Sequence, residues 1–131
     1  MKLMMIAAAA LVAGAAQAQD VHEGRLLYER HCATCHGLDA DGQGPMAPAL
    51  VLQPVDLTEL ALNNSGTFPM ARVVKRIDGR DPLLAHGNEM PVYGDLFAGR
   101  DLVIRSETGE TIRSTEPMAD LVAWLESLQR R

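Results

Sequence analysis

Residues 31–37 read His31-Cys32-Ala33-Thr34-Cys35-His36-Gly37, or HCATCHG, and hold both cysteines of the 131-residue chain. Four chemistries compete for two thiols at this spacing. A thioredoxin-type dithiol sits where a strand feeds the start of a helix. Here the pair follows a helical pattern and precedes a stretch rich in Gly and Pro. A zinc site needs about four ligands in tetrahedral array, and beyond Cys32, Cys35 and His36 the chain offers no second CxxC and no paired histidines. A disulfide across two intervening residues closes a tiny loop, constrains the unfolded chain little and leaves His36 unexplained. The fourth reading uses all three residues. C-x-x-C-H is the attachment sequence for c-type haem, in which both thiols add to the porphyrin vinyls and the adjacent histidine binds iron.

The spacing suits that chemistry. On a helical turn, residues three and four apart face the same way, so Cys32, Cys35 and His36 can address one side of a flat ring together. A disulfide with an incidental histidine stays as the alternative. The N-terminus bears on the choice. Residues 1–18, MKLMMIAAAALVAGAAQA, combine Lys2, an apolar run from Leu3 to Ala16, and small residues at Ala16 and Ala18, the pattern of a secretory signal with its cleavage site. The run is shorter than the roughly twenty residues a membrane-crossing helix needs. A cleaved signal over 1–18 is therefore expected, followed by a single domain over 19–131 in the periplasm. In an oxidising compartment two thiols three apart do not stay free without a reason.

The net charge of −5 excludes nucleic acid as a partner, since phosphate binding needs clustered positive charge. Aromatics are few: Tyr28, Phe68, Tyr93, Phe97 and Trp124 are all the chain has, which leaves room for another group at its centre.

Outward from the motif, Asp20 and Glu23 suit a helix start, and Val21, Gly24, Tyr28 and His31 keep one face, so a first helix is expected over about 21–33. Gly42, Gly44, Pro45, Pro48 and Pro54 forbid a long regular element after Gly37. A short helix is expected around 57–62. From Thr67, TFPMARVVKRIDG reads as a cap, a proline in the first turn, and an apolar stripe of Met70, Val73, Val74 and Ile77 that ends at Gly79. Arg72, Lys75 and Arg76 lie mostly on its other face. DLVIRSETGETIRS, residues 101–114, reads as two β-prone runs about Thr108-Gly109, a small hairpin. A last helix begins after Thr115, with Pro117 in its first turn and Leu121, Trp124, Leu125 and Leu128 on one face.

Three stretches together resemble the class I c-type cytochromes. GRLLYERHCATCHG resembles the family's first helix running into the haem motif, MPVYG its loop with the distal methionine, and LVAWLESLQ its C-terminal helix. The resemblance implies an all-α cytochrome c fold, with three to four helices packed around one covalently attached haem c and a small hairpin before the C-terminal helix. It further implies that the first and last helices cross at Gly24, Tyr28 and Trp124. Cys32 and Cys35 are then the haem thioethers and His36 an iron ligand.

An electron carrier needs both axial positions of iron filled, because an open site binds small molecules. The candidates for the second are Met46, Met70, Met90, Met118, His22, His31 and His86. Met70 and Met118 fit helix faces and suit core packing, and His31 is too near the attached face to reach round the ring. Met90 stands beside Pro91 in a loop, at the position matching the family's Met-Pro loop, and is the expected ligand, with His86 as the alternative. By resemblance, the Pro48 carbonyl holds the other nitrogen of His36; a loop-shaping proline is the competing role. Tyr93, Arg72, Arg76 and Arg80 are candidates for the haem propionates, against plain solvated surface. The expected function is electron transfer without catalysis, with transient docking to redox proteins such as a membrane respiratory complex or a periplasmic oxidoreductase. The alternatives are a dedicated cytochrome subunit of a periplasmic dehydrogenase or oxidase, for which the hairpin would be a docking surface, and a haem protein with an open iron position.

Overall fold

The computed structural model describes residues 19–80 and 90–130. Residues 1–18, where a signal is expected, and His86 lie outside the described residues. Among the described residues there are four helices and one two-stranded sheet, and apart from a break within the expected first helix they follow the order expected.

Helix α1 spans Val21–His31 and α4 spans Glu116–Ser127. The Asp20 carboxylate starts α1 by accepting from the amides of His22 and Glu23 at 2.9 and 3.1 Å, which satisfies two of the four donors a helix start leaves open. The two helices cross where α1 has no side chain. A Cβ on Gly24 would run into the Asp120 carbonyl of α4, so only glycine permits the approach. One turn further on, the Tyr28 and Trp124 rings pack with centroids 4.4 Å apart. The Asp20 amide also donates to the Asp120 carboxylate at 2.7 Å and ties the two helix starts together. Both the crossing and the residues expected to make it are as the resemblance implied.

Helix α3, Met70–Asp78, buries Met70, Val73, Val74 and Ile77 and stops at Gly79. It begins later than the cap read at Thr67. Pro69 occupies the N-cap position, and a residue before proline is driven to extended backbone, which keeps Phe68 out of the helix. The short helix expected around 57–62 is instead two 3-10 turns, Leu57–Glu59 and Leu62–Asn64. The end of α4 holds this stretch: the Gln129 amide donates to Leu57 O at 2.7 Å, and its carbonyl accepts from the Ala61 amide at 2.9 Å.

Strands β1, Asp101–Arg105, and β2, Thr111–Thr115, pair antiparallel with Ile104 opposite Ile112. Those two are buried, while Val103 and its partner Arg113 face outward, the alternation a one-sided ribbon requires. The Ser106 hydroxyl oxygen closes the loop by accepting from the amides of Thr108 and Glu110. Lys75 of α3 pairs with Glu110 at 3.3 Å and joins the hairpin to the helical body. Tyr28, Val74, Phe97, Leu121 and Val122 form the most buried part of the core.

Candidate functional site

The expected helix over 21–33 breaks at Cys32. After α1, a separate turn α2 covers Ala33–His36, and the amides of Cys35 and His36 both donate to the Cys32 carbonyl, at 3.1 and 2.9 Å. A turn this short has carbonyls that no further helix can satisfy. The loop after it supplies the donors: the amides of Gly42, Gly44 and Met46 donate to the carbonyls of His36, Cys35 and Thr34 at 2.9, 3.0 and 3.0 Å. That stitching requires backbone against backbone. A Cβ on Gly44 would lie 2.5 Å from the Thr34 carbonyl oxygen, which accounts for the glycine-rich composition read from the sequence.

Cys32 and Cys35 are free thiols, both half-buried. As a free thiol, Cys32 is pushed up to about 12 by burial and then by the neighbouring Cys35. His36 is 9% exposed, and its Nδ1 lies 3.2 Å from the Val55 carbonyl oxygen. Burial lowers its pKa against the opposing pull of that carbonyl, which favours the neutral ring. With Nδ1–H donating to Val55, the lone pair of Nε2 is left for a metal.

The carbonyl expected from Pro48 is therefore supplied by Val55. Pro48 lies inside the 3-10 turn Ala47–Ala49. The Leu57 amide donates to Ala40 O at 2.8 Å and draws the chain at Val55 alongside the loop that follows the motif. Sequence spacing could not show this, because a carbonyl carries no residue type.

Met90 is half-buried and packs against the core. Met70 and Met118 lie in the core, as their helix faces suggested. His22 is exposed at the far end of α1, and Met46 is exposed on the loop behind the turn. Of the propionate candidates, Tyr93 donates its hydroxyl to His31 O at 3.0 Å. Arg80 is paired with Asp78 and donates to Arg113 O at 3.0 Å. Both are thus engaged within the protein. Among the described residues no three His, Cys, Asp or Glu side chains converge as a metal ion would need.

The donor set fits a covalently held haem. Two thiols and a neutral imidazole share one short turn, and beside Val55, itself 58% exposed, Val51 and Leu52 are exposed at 88% and 59%. These exposed side chains lie on the loop whose Val55 carbonyl meets His36. The Cytochrome c family model matches residues 21–129. The chain belongs to the cytochrome c family. Its cofactor is accordingly covalently bound haem c. Cytochrome c-554(547) of Halothiobacillus neapolitanus is 33% identical over 57 residues, which are 42% of this chain and 63% of that relative; the match thus spans less than two thirds of the relative's length. No solved structure matches the chain. Among the described residues no helix is long and apolar enough to cross a membrane.

Proposed function

We propose that this cytochrome c is an exported, periplasmic monohaem electron carrier. Residues 1–18 are its cleaved signal and 19–131 its single domain. Cys32 and Cys35 form the haem thioethers, and His36 and Met90 are the axial ligands. When bound, the haem supplies the one-electron couple. The protein tethers it by two sulfurs, orients it through His36, and closes the second axial position with a thioether so that small molecules do not bind. A methionine ligand raises the potential relative to a second imidazole. The domain itself catalyses no reaction. It docks transiently on redox proteins, and its net charge of −6 once Lys2 leaves with residues 1–18 (11 basic against 17 acidic residues) favours partners that present a positive patch.

One observation carries this reading: Cys32, Cys35 and His36 lie on and at the start of one short turn, with His36 Nδ1 on the Val55 carbonyl and Nε2 left for iron. The test is made on protein isolated from the periplasm. The denatured chain is expected to retain haem stain on a gel, and the Cys32→Ala/Cys35→Ala double variant to lose it. The oxidised protein is expected to have the near-infrared charge-transfer band of iron–thioether ligation, and Met90→Leu to lack it. Absence of stain in the wild type overturns the reading, and stain without the band removes Met90 from it.

A further inference from the structure

Met90 enters the described structure beside Pro91, and what fixes its position lies just downstream at Tyr93. The Tyr93 amide donates to Ile77 O at 2.8 Å, so the backbone is attached to the end of α3. A Cβ on Gly94 would come within 2.8 Å of the Asp78 carbonyl, which keeps the two segments in close contact. The Tyr93 ring stacks on Phe97 at 5.7 Å, and Phe97, 2% exposed, meets the His31 ring edge-on at 5.5 Å.

The side chain reaches a different element. Because α1 breaks at Cys32, and the amides of Cys35 and His36 both turn to the Cys32 carbonyl, the haem-motif turn makes no use of the carbonyl of His31. The Tyr93 hydroxyl donates to it at 3.0 Å. We propose that this bond is a strap between the segments bearing the two axial ligands, and that Tyr93 is a positioning residue for Met90. The inference rests on Met90 being the ligand. The backbone bond to Ile77 holds the methionine loop to α3 only, whereas the hydroxyl holds it to the chain that runs directly into Cys32. Pro91 and Val92 alone separate Met90 from this anchor, and the fixed φ of proline limits the slack between them.

Without the hydroxyl, the loop should release Met90 more often, and an added ligand for iron should bind more tightly because its competent state is more populated. The experiment titrates the oxidised holoprotein with imidazole and follows loss of the near-infrared band in wild type, Tyr93→Phe and Tyr28→Phe. Phenylalanine keeps the stacking on Phe97. Tyr28→Phe also loses a hydroxyl bonded to a carbonyl, that of Gly37, but away from the methionine loop. The half-displacement concentration is expected to fall about three- to tenfold in Tyr93→Phe, the range one hydrogen bond supports, and to stay at the wild-type value in Tyr28→Phe. No change in Tyr93→Phe overturns the strap, as does an equal fall in both variants, which would report general loosening. A wild type with no band overturns the Met90 assignment itself, and the strap with it.

Discussion

The crossing of α1 and α4 and the segments around HCATCHG are built on opposite terms. At the crossing the protein completes itself: Gly24 admits the Asp120 carbonyl, Tyr28 packs on Trp124, and Leu121, Val122 and Leu125 are buried. Around the motif, the amides of Gly42, Gly44 and Met46 satisfy the carbonyls of the turn, while Val51, Leu52 and Val55 are exposed. The helix pair is a frame closed by the chain's own side chains, and the turn Ala33–His36 with the loops beside it carries the thiols and the imidazole that would hold the haem.

Gly24→Ala is the strongest way to break the frame. Its methyl group has no room beside the Asp120 carbonyl, and the obstacle is backbone, which cannot swing aside. Separation of the helices would open the Tyr28–Trp124 contact as well. A loss of about 3 kcal/mol or more in unfolding free energy is expected, in the range of severe overpacking, measured by denaturant titration of the holoprotein. A variant as stable as wild type would mean that α1 and α4 do not depend on this contact.

The frame was legible in the sequence because its signals are side chains at helical spacing. Asp20 and the stripe of α3 announce a helix start and a buried face, whereas the close approach at Gly24 and the meeting of Tyr28 with Trp124 came only from the resemblance to the family. The thiols and His36 were legible for the same reason, being residue types whose chemistry is specific. What escaped was carried by the backbone. The Val55 carbonyl on His36, the break of the first helix at Cys32 and the His31 carbonyl under Tyr93 depend on where the loops fold back, and every residue has a carbonyl. The later start of α3 escaped differently: Pro69 was read inside the helix, but the restriction it places on Phe68 decides the boundary.

Tyr28 belongs to both regions and can separate them. Its ring is part of the frame, while its hydroxyl donates to Gly37 O at 2.6 Å, just past the haem motif. Burial raises its pKa, so the hydroxyl stays a donor throughout the working pH range. Tyr28→Phe keeps the ring on Trp124 and leaves the Gly37 carbonyl without this partner. A loss of about 1–2 kcal/mol is expected, smaller than for Gly24→Ala, and seen as a lower melting temperature. A loss as large as that of Gly24→Ala would show that the frame and the turn Ala33–His36 unfold as one unit through this bond.

The smallest effect concerns the one carboxylate buried in the frame. Burial raises the pKa of Asp120, and Glu116, Asp20 and Glu23 push it further, while the Asp20 amide pulls it back. A carboxyl whose folded pKa lies above its unfolded value binds more protons when folded, so its contribution is full at low pH and is lost as pH rises through the raised value. At neutral pH the ionised Asp120 thus works against the fold it helps to tie. Asn at this position keeps an oxygen for the Asp20 amide and removes the charge. Asp120→Asn is expected to be more stable than wild type at pH 7 by roughly 0.5 kcal/mol, within the ordinary span of single substitutions. That advantage should shrink as pH falls to the carboxylate range, near about 4. Parallel stability profiles for the two proteins between those limits would refute the claim. They would mean that the hydrogen bond to Asp20 offsets burial, and that the frame tolerates its buried charge at no cost.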